Sequence, residues 1–133
     1  MMEFFDGEGN LLCLLHKAKD WKKGLDFITP DPSYVQAGTW WYDTGTKLDR
    51  HYHNIFERTA DRTCEVVYVV SGSMNVDLYD EQRRFMKTFA MVSGDTAVFI
   101  AGGHGYEITS DDTRILETKN GPFYGVEKDK TKF

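Results

Sequence analysis

Short β-rich runs separated by Gly, Asp, Ser and Pro turns recur along most of this chain, and they constrain its fold more than any other feature. Val, Tyr, Phe and Thr cluster between Ser71-Gly72-Ser73, Asp80 to Arg84, Ser93-Gly94-Asp95 and Asp111-Asp112-Thr113. Runs of that length between turn residues predict an all-β sandwich or barrel. The pattern is sharpest around Gly72. Glu65 to Val70 reads as one strand and Met74 to Tyr79 as its hairpin partner. Met74, Val76 and Leu78 alternate with Asn75, Asp77 and Tyr79, which gives the second strand one apolar face.

Further strands are expected at Leu11 to Leu15, Leu25 to Thr29, Tyr34 to Tyr42 (with a break at Gly38), Phe85 to Val92, Thr96 to Ile100, Tyr106 to Thr109 and Arg114 to Lys119. With 133 residues, no linker and no low-complexity stretch, residues 1–133 read as a single domain. A hydrophobic share of 41% is enough to drive folding. The net charge of −5 argues against nucleic-acid binding, which needs a basic surface. There is no apolar run long enough for a membrane span and no basic-then-apolar leader, so a cytoplasmic location is expected. Cys13 and Cys64 form neither a metal-binding pair nor a disulfide framework.

The chemistry-bearing feature is His51-Tyr52-His53. In an extended strand, residues i and i+2 share a face, with Cα atoms about 6.5 Å apart. Two imidazoles so placed can reach one metal ion. The argument requires a strand, and Lys47 to His53 is expected to form one.

Gly45 is followed by five residues and then His51-Tyr52-His53, and Glu65 is followed by six residues and then Gly72. Gly94 is followed by five residues and then Ile100-Ala101-Gly102-Gly103-His104. Together these segments resemble the two motifs of the cupin superfamily and cover Gly45 to His104. They depart from the pattern in three places. The gap from His53 to Glu65 is long, Ile100 stands where a proline is usual, and His104 arrives one residue early.

The resemblance implies a small single-domain cupin with a double-stranded β-helix, or jelly-roll barrel. It also implies a divalent transition metal held by His51, His53, Glu65 and His104. Three imidazoles and a carboxylate suit Fe, Mn, Ni, Cu or Zn. Glu57 competes for the carboxylate role because its distance from His53 is the usual one. Glu65 is preferred, since it heads an alternating strand and has the matching Gly72. If Glu57 is not a ligand, it belongs to a loop over the barrel mouth. His104 is either the fourth ligand or a substrate contact. Tyr106, two residues on, should share its face, as a core tyrosine or as a substrate contact and general acid.

A small-molecule substrate or ligand and a homodimer are expected. Three functions compete: a metal-dependent enzyme of oxygenase, decarboxylase or isomerase type; a non-catalytic binding or sensor module; and a metal-free nucleotide-sugar epimerase or ketoisomerase. His16 lies outside both motifs and reads as an ordinary residue.

Overall fold

A computed structural model describes residues 1–133. The protein is all-β, with antiparallel sheets. The larger sheet has five strands in the order β1-β2-β8-β5-β10. These are β1 (Met2–Phe5), β2 (Leu11–His16), β8 (Thr96–Phe99), β5 (Glu65–Ser71) and β10 (Arg114–Lys119). A three-stranded sheet has the order β7-β6-β9, built from β7 (Phe85–Val92), β6 (Ser73–Tyr79) and β9 (Gly103–Ile108). A two-stranded ribbon pairs β3 (Gly24–Phe27) with β4 (Gly38–Trp41). A short 3₁₀ turn (Ala18–Asp20) and a single helical turn, α1 (Val126–Asp129), complete the elements. No helix is long and apolar enough to cross a membrane.

The core explains this order. The alternation read in Met74 to Tyr79 holds residue by residue, and Met74, Val76 and Leu78 are fully buried. They meet Val67 and Val69 of β5, Ala97 and Phe99 of β8, and Leu12, Cys13 and Leu15 of β2 in one cluster, joined by Phe89 and Met91 of β7. The two sheets therefore pack face to face. Burying side chains of this size contributes about 1.5–3 kcal/mol each. No strand pairing runs from one sheet into the other, so the architecture is a sandwich rather than a closed barrel.

The hairpin expected across Gly72 is not one. β5 and β6 belong to different sheets, and the chain crosses between them at Gly72. It crosses again from β7 to β8, from β8 to β9 and from β9 to β10; between β5 and β10, only β6 and β7 form a hairpin within one sheet. Alternation specifies a buried face but not the neighbour, and the gain from packing two faces together outweighed local pairing. Gly72 makes the crossing possible. Its φ is +80°, and a Cβ there would run into Thr113, whose hydroxyl accepts the Ser73 N–H.

β2 is buried on both sides. On its outer face Leu14 packs with Val98 and Ile28, under a layer formed by the β3–β4 ribbon and the segment joining its strands. The strand expected over Tyr34 to Tyr42 shrinks to Gly38–Trp41, the stretch that pairs with β3.

Gly72→Ala combines a disfavoured backbone conformation with overpacking, at about 1–2 and about 1–3 kcal/mol respectively. Urea denaturation should show a loss of roughly 2–5 kcal/mol. Gly105→Ala, where an added Cβ meets nothing within 4 Å, should cost far less.

Candidate functional site

The inner-face alternation of β5 does not stop at Val67. Glu65, two residues earlier, lies on the same face and is 4% exposed. In β9, His104 pairs with Leu78 and Tyr106 with Val76, so both share the inner face of the opposite sheet. Glu65 and His104 meet across the open end of the sandwich, with His104 Nε2 3.0 Å from Glu65 Oε2. The contact is short but poorly aligned for a hydrogen bond. Both Glu65 Oε2 and His104 Nδ1 are buried without a hydrogen-bonding partner. Phe99, the strand partner of Glu65 on β8, stacks on the imidazole at 4.2 Å between centroids and fixes its plane. Tyr106 packs against both rings, with centroids 5.2 Å from His104 and 6.0 Å from Phe99.

Positive charge reaches Glu65 from two sides. Lys119, its register partner on β10, brings Nζ to 3.9 Å of Oε1, and Lys130 brings Nζ to 3.4 Å. His104, assisted by Lys130, holds the Glu65 carboxyl below its ordinary value despite the opposing effect of burial. Burial first, and the nearby carboxylates of Glu65 and Glu117 next, push the Tyr106 hydroxyl up, although part of the ring is exposed. Tyr106 therefore stays protonated at neutral pH and is available as a donor. The result is a cavity of about 220 Å³ lined by Thr63, Glu65, Phe99, His104 and Lys130, among others.

From the C-terminal stretch, Asp129, Lys130 and Thr131 wall this cavity. Asp129 accepts a hydrogen bond from the Thr63 hydroxyl at 2.6 Å and pairs with Lys119 at 3.3 Å. Phe133 stands edge-on to Tyr79, with centroids 5.2 Å apart.

The other two expected ligands lie apart from this pair. His51 and His53 sit in the 42–64 segment, which has no regular structure, and both are exposed. The expected Lys47 to His53 strand is absent. That stretch is polar and charged, no strand lies beside it, and an unpaired strand has nothing to satisfy its backbone. The two rings are nevertheless neighbours, with centroids 5.3 Å apart, and His51 Nδ1 lies 3.1 Å from the Asp49 carbonyl. Glu57 is exposed in the same segment. No three His, Cys, Asp or Glu side chains come together in an arrangement able to hold a metal ion. The four candidate ligands thus form two pairs, one on the strands and one on an irregular segment.

Sequence reading singled out Glu65, His104 and Tyr106, which share one site. It did not find Thr63 or Phe99. The Phe99 signal was available in the strand register, once β8 is placed beside β5. Compared with protein-family models, with curated proteins and with solved structures, the chain matches none.

The Thr63–Asp129 tie gives a pH-dependent readout. Chiefly through the Thr63 hydroxyl, the Asp129 carboxyl is held below its ordinary value. A carboxyl depressed in the folded state stabilises it above the unfolded value, near pH 4, and that contribution is lost as pH falls through the folded value. Asp129→Asn should therefore lower amide protection across residues 126–130 at pH 7. The difference from wild type should shrink below roughly pH 4. Hydrogen-exchange mass spectrometry corrected for intrinsic rates reads both.

Proposed function

We propose that the chain is a small cupin-type metalloprotein, with Glu65 and His104 as the strand-held half of a divalent transition-metal site and an enzyme's pocket around them. The alternation of the chain between two facing sheets from β5 to β10 supports a jelly-roll kinship. The metal reading rests on one observation: Glu65 Oε2 and His104 Nε2 lie 3.0 Å apart, and the buried carboxylate oxygen has no hydrogen-bonding partner. Two donors at right angles on one ion, each at roughly 2.0–2.2 Å, are themselves about 3.0 Å apart. A buried carboxylate oxygen left without a donor is costly unless something else satisfies it.

His51 and His53 complete the donor set in this reading. Two imidazoles bound to one ion have centroids roughly 4.6–5.3 Å apart, given bonds of roughly 2.0–2.1 Å. Their separation of 5.3 Å suits that role. The 42–64 segment would carry them to the cavity, since eleven residues lie between His53 and Glu65 and irregular chain has ample reach. Three imidazoles and one carboxylate match Fe, Mn, Ni, Cu or Zn. Bound there, the metal supplies Lewis acidity or redox capacity and open positions for a small polar substrate.

The chain's own residues account for the rest. Phe99 holds the His104 ring in one orientation. Tyr106 keeps its proton at neutral pH and can deliver it to a substrate oxygen beside His104. His104 first, and Lys130 after it, hold the Glu65 carboxyl below its ordinary value and so keep it in the ionised form that binds a cation. Oxygenase, decarboxylase and isomerase chemistries all fit this arrangement.

A second reading draws on the same contact. His104, held in plane by Phe99 and beside the protonated Tyr106, is arranged as a general base with an acid partner. That would serve a metal-free epimerase or ketoisomerase. Metal analysis separates the two. Wild-type protein purified without an affinity tag, or reconstituted with Fe, Mn, Ni, Cu or Zn, should hold about one equivalent. Glu65→Ala and His104→Ala should abolish stable loading. His51→Ala should weaken it by at least the roughly 10–100-fold that loss of an outer-shell partner costs. Absence of stable loading in wild type under every metal would sink the metalloprotein reading and leave the metal-free one.

A further inference from the structure

The outer face of the five-stranded sheet carries a second cavity, on the side away from Glu65 and His104. It has a volume of about 370 Å³ and lies between the sheet and the β3–β4 layer. In a chain with 28% charged residues, no Asp, Glu, Lys or Arg lines it. Trp21 forms one wall. Thr39, Tyr68, Thr96 and Thr118 contribute four hydroxyl-bearing side chains.

Two buried polar groups on this face have no partner. Thr39 is 6% exposed, and its hydroxyl makes no hydrogen bond. The neighbouring Thr29 shows that this is not the rule for the layer. It is equally buried, yet it donates to Gln36 and accepts from the Ala37 N–H. His16, which does not itself line the cavity, is the second group. It pairs with Thr96, which pairs with Tyr68, so the three form one row on the outer face. His16 is 1% exposed, both ring nitrogens lack partners, and its ring lies 6.4 Å from that of Trp21. A buried hydroxyl left unpaired is destabilising, so a wall built this way is complementary to a ligand that pairs with it.

We propose that this cavity is a binding site for a neutral, polyhydroxylated ring, a pyranose unit. The absence of charged lining disfavours an ionised ligand, which would lose its hydration without a counter-charge. Trp21 offers an apolar plate for the ring's C–H face, and the threonine and tyrosine hydroxyls match its own hydroxyls in donor and acceptor capacity. The assignment is independent of the metal reading, because the two cavities lie on opposite faces of one sheet.

The test is NMR titration of the full chain with methyl β-D-glucopyranoside, methyl α-D-mannopyranoside and methyl β-D-galactopyranoside. Cyclohexanol and glucuronate serve as apolar and anionic controls. At least one glycoside should give saturable shifts at Trp21, Thr39 and Thr96. Its dissociation constant should be on the order of 1 mM, as about 13 heavy atoms at ordinary ligand efficiency allow. Thr39→Val keeps the shape and removes the hydroxyl, and should weaken binding roughly fivefold with folding intact. Trp21→Ala should weaken it about tenfold or more. The proposal is overturned if no glycoside gives a saturable shift, if binding is unchanged in both variants, or if cyclohexanol or glucuronate binds in their place.

Discussion

Packing the alternating face of β6 against β5, β8 and β2 is the contact on which the rest of the molecule depends. Met74, Val76 and Leu78 have no other apolar surface to meet, and Val67, Val69 and Ala97 form the facing wall. Once that contact is made, the chain must pass from one sheet to the other at Gly72, and β9 must pair along the free edge of β6. The candidate site then follows from register alone. Glu65 continues the inner face of β5 past the last core valine, and His104 and Tyr106 sit opposite Leu78 and Val76. A core alternation that runs out into polar residues at one end of a sandwich produces a pocket there.

The buried carboxylates of this protein behave differently, and the contrast separates architecture from chemistry. Asp95 accepts hydrogen bonds from the Ala18 and Val92 N–H groups and from the Lys17 ammonium, tying the β7–β8 crossing to the end of β2. Asp80 accepts from the N–H groups of Gln82 and Arg84 and from the Arg84 guanidinium, closing the β6–β7 turn. Both are structural, with their oxygens occupied. Glu65 is comparably buried, but one oxygen has no donor while two lysines and an imidazole crowd the site. A fold does not need such an arrangement, and it is the observation that supports the proposed metal-binding role of Glu65.

Much of this was legible in the order of residues. The period-two pattern of β6 named its buried face correctly, and the spacing of Glu65, Gly72 and His104 pointed to the residues that meet at the pocket. The hairpin across Gly72 was misread because turn chemistry states only that the chain reverses. Whether it returns to the same sheet depends on which faces gain most by contact. His51-Tyr52-His53 was read as strand from its spacing, but a strand is defined by its neighbour, and none lies beside residues 47–53. The outer cavity left no trace in the motifs, because Trp21, Thr39, Tyr68, Thr96 and Thr118 lie on five separate stretches of chain.

By itself, the sequence determined the all-β class, the apolar faces and the kinds of chemistry the chain can carry, because these follow from side-chain periodicity and residue type. Only tertiary structure decided which strands became neighbours, that Glu65 faces His104 while His51 and His53 stand apart, and that Thr39 and His16 are buried without partners. Those outcomes arise from long-range packing and from the geometric demands of hydrogen bonds. Both are settled between residues far apart in the chain, where local pattern has no reach.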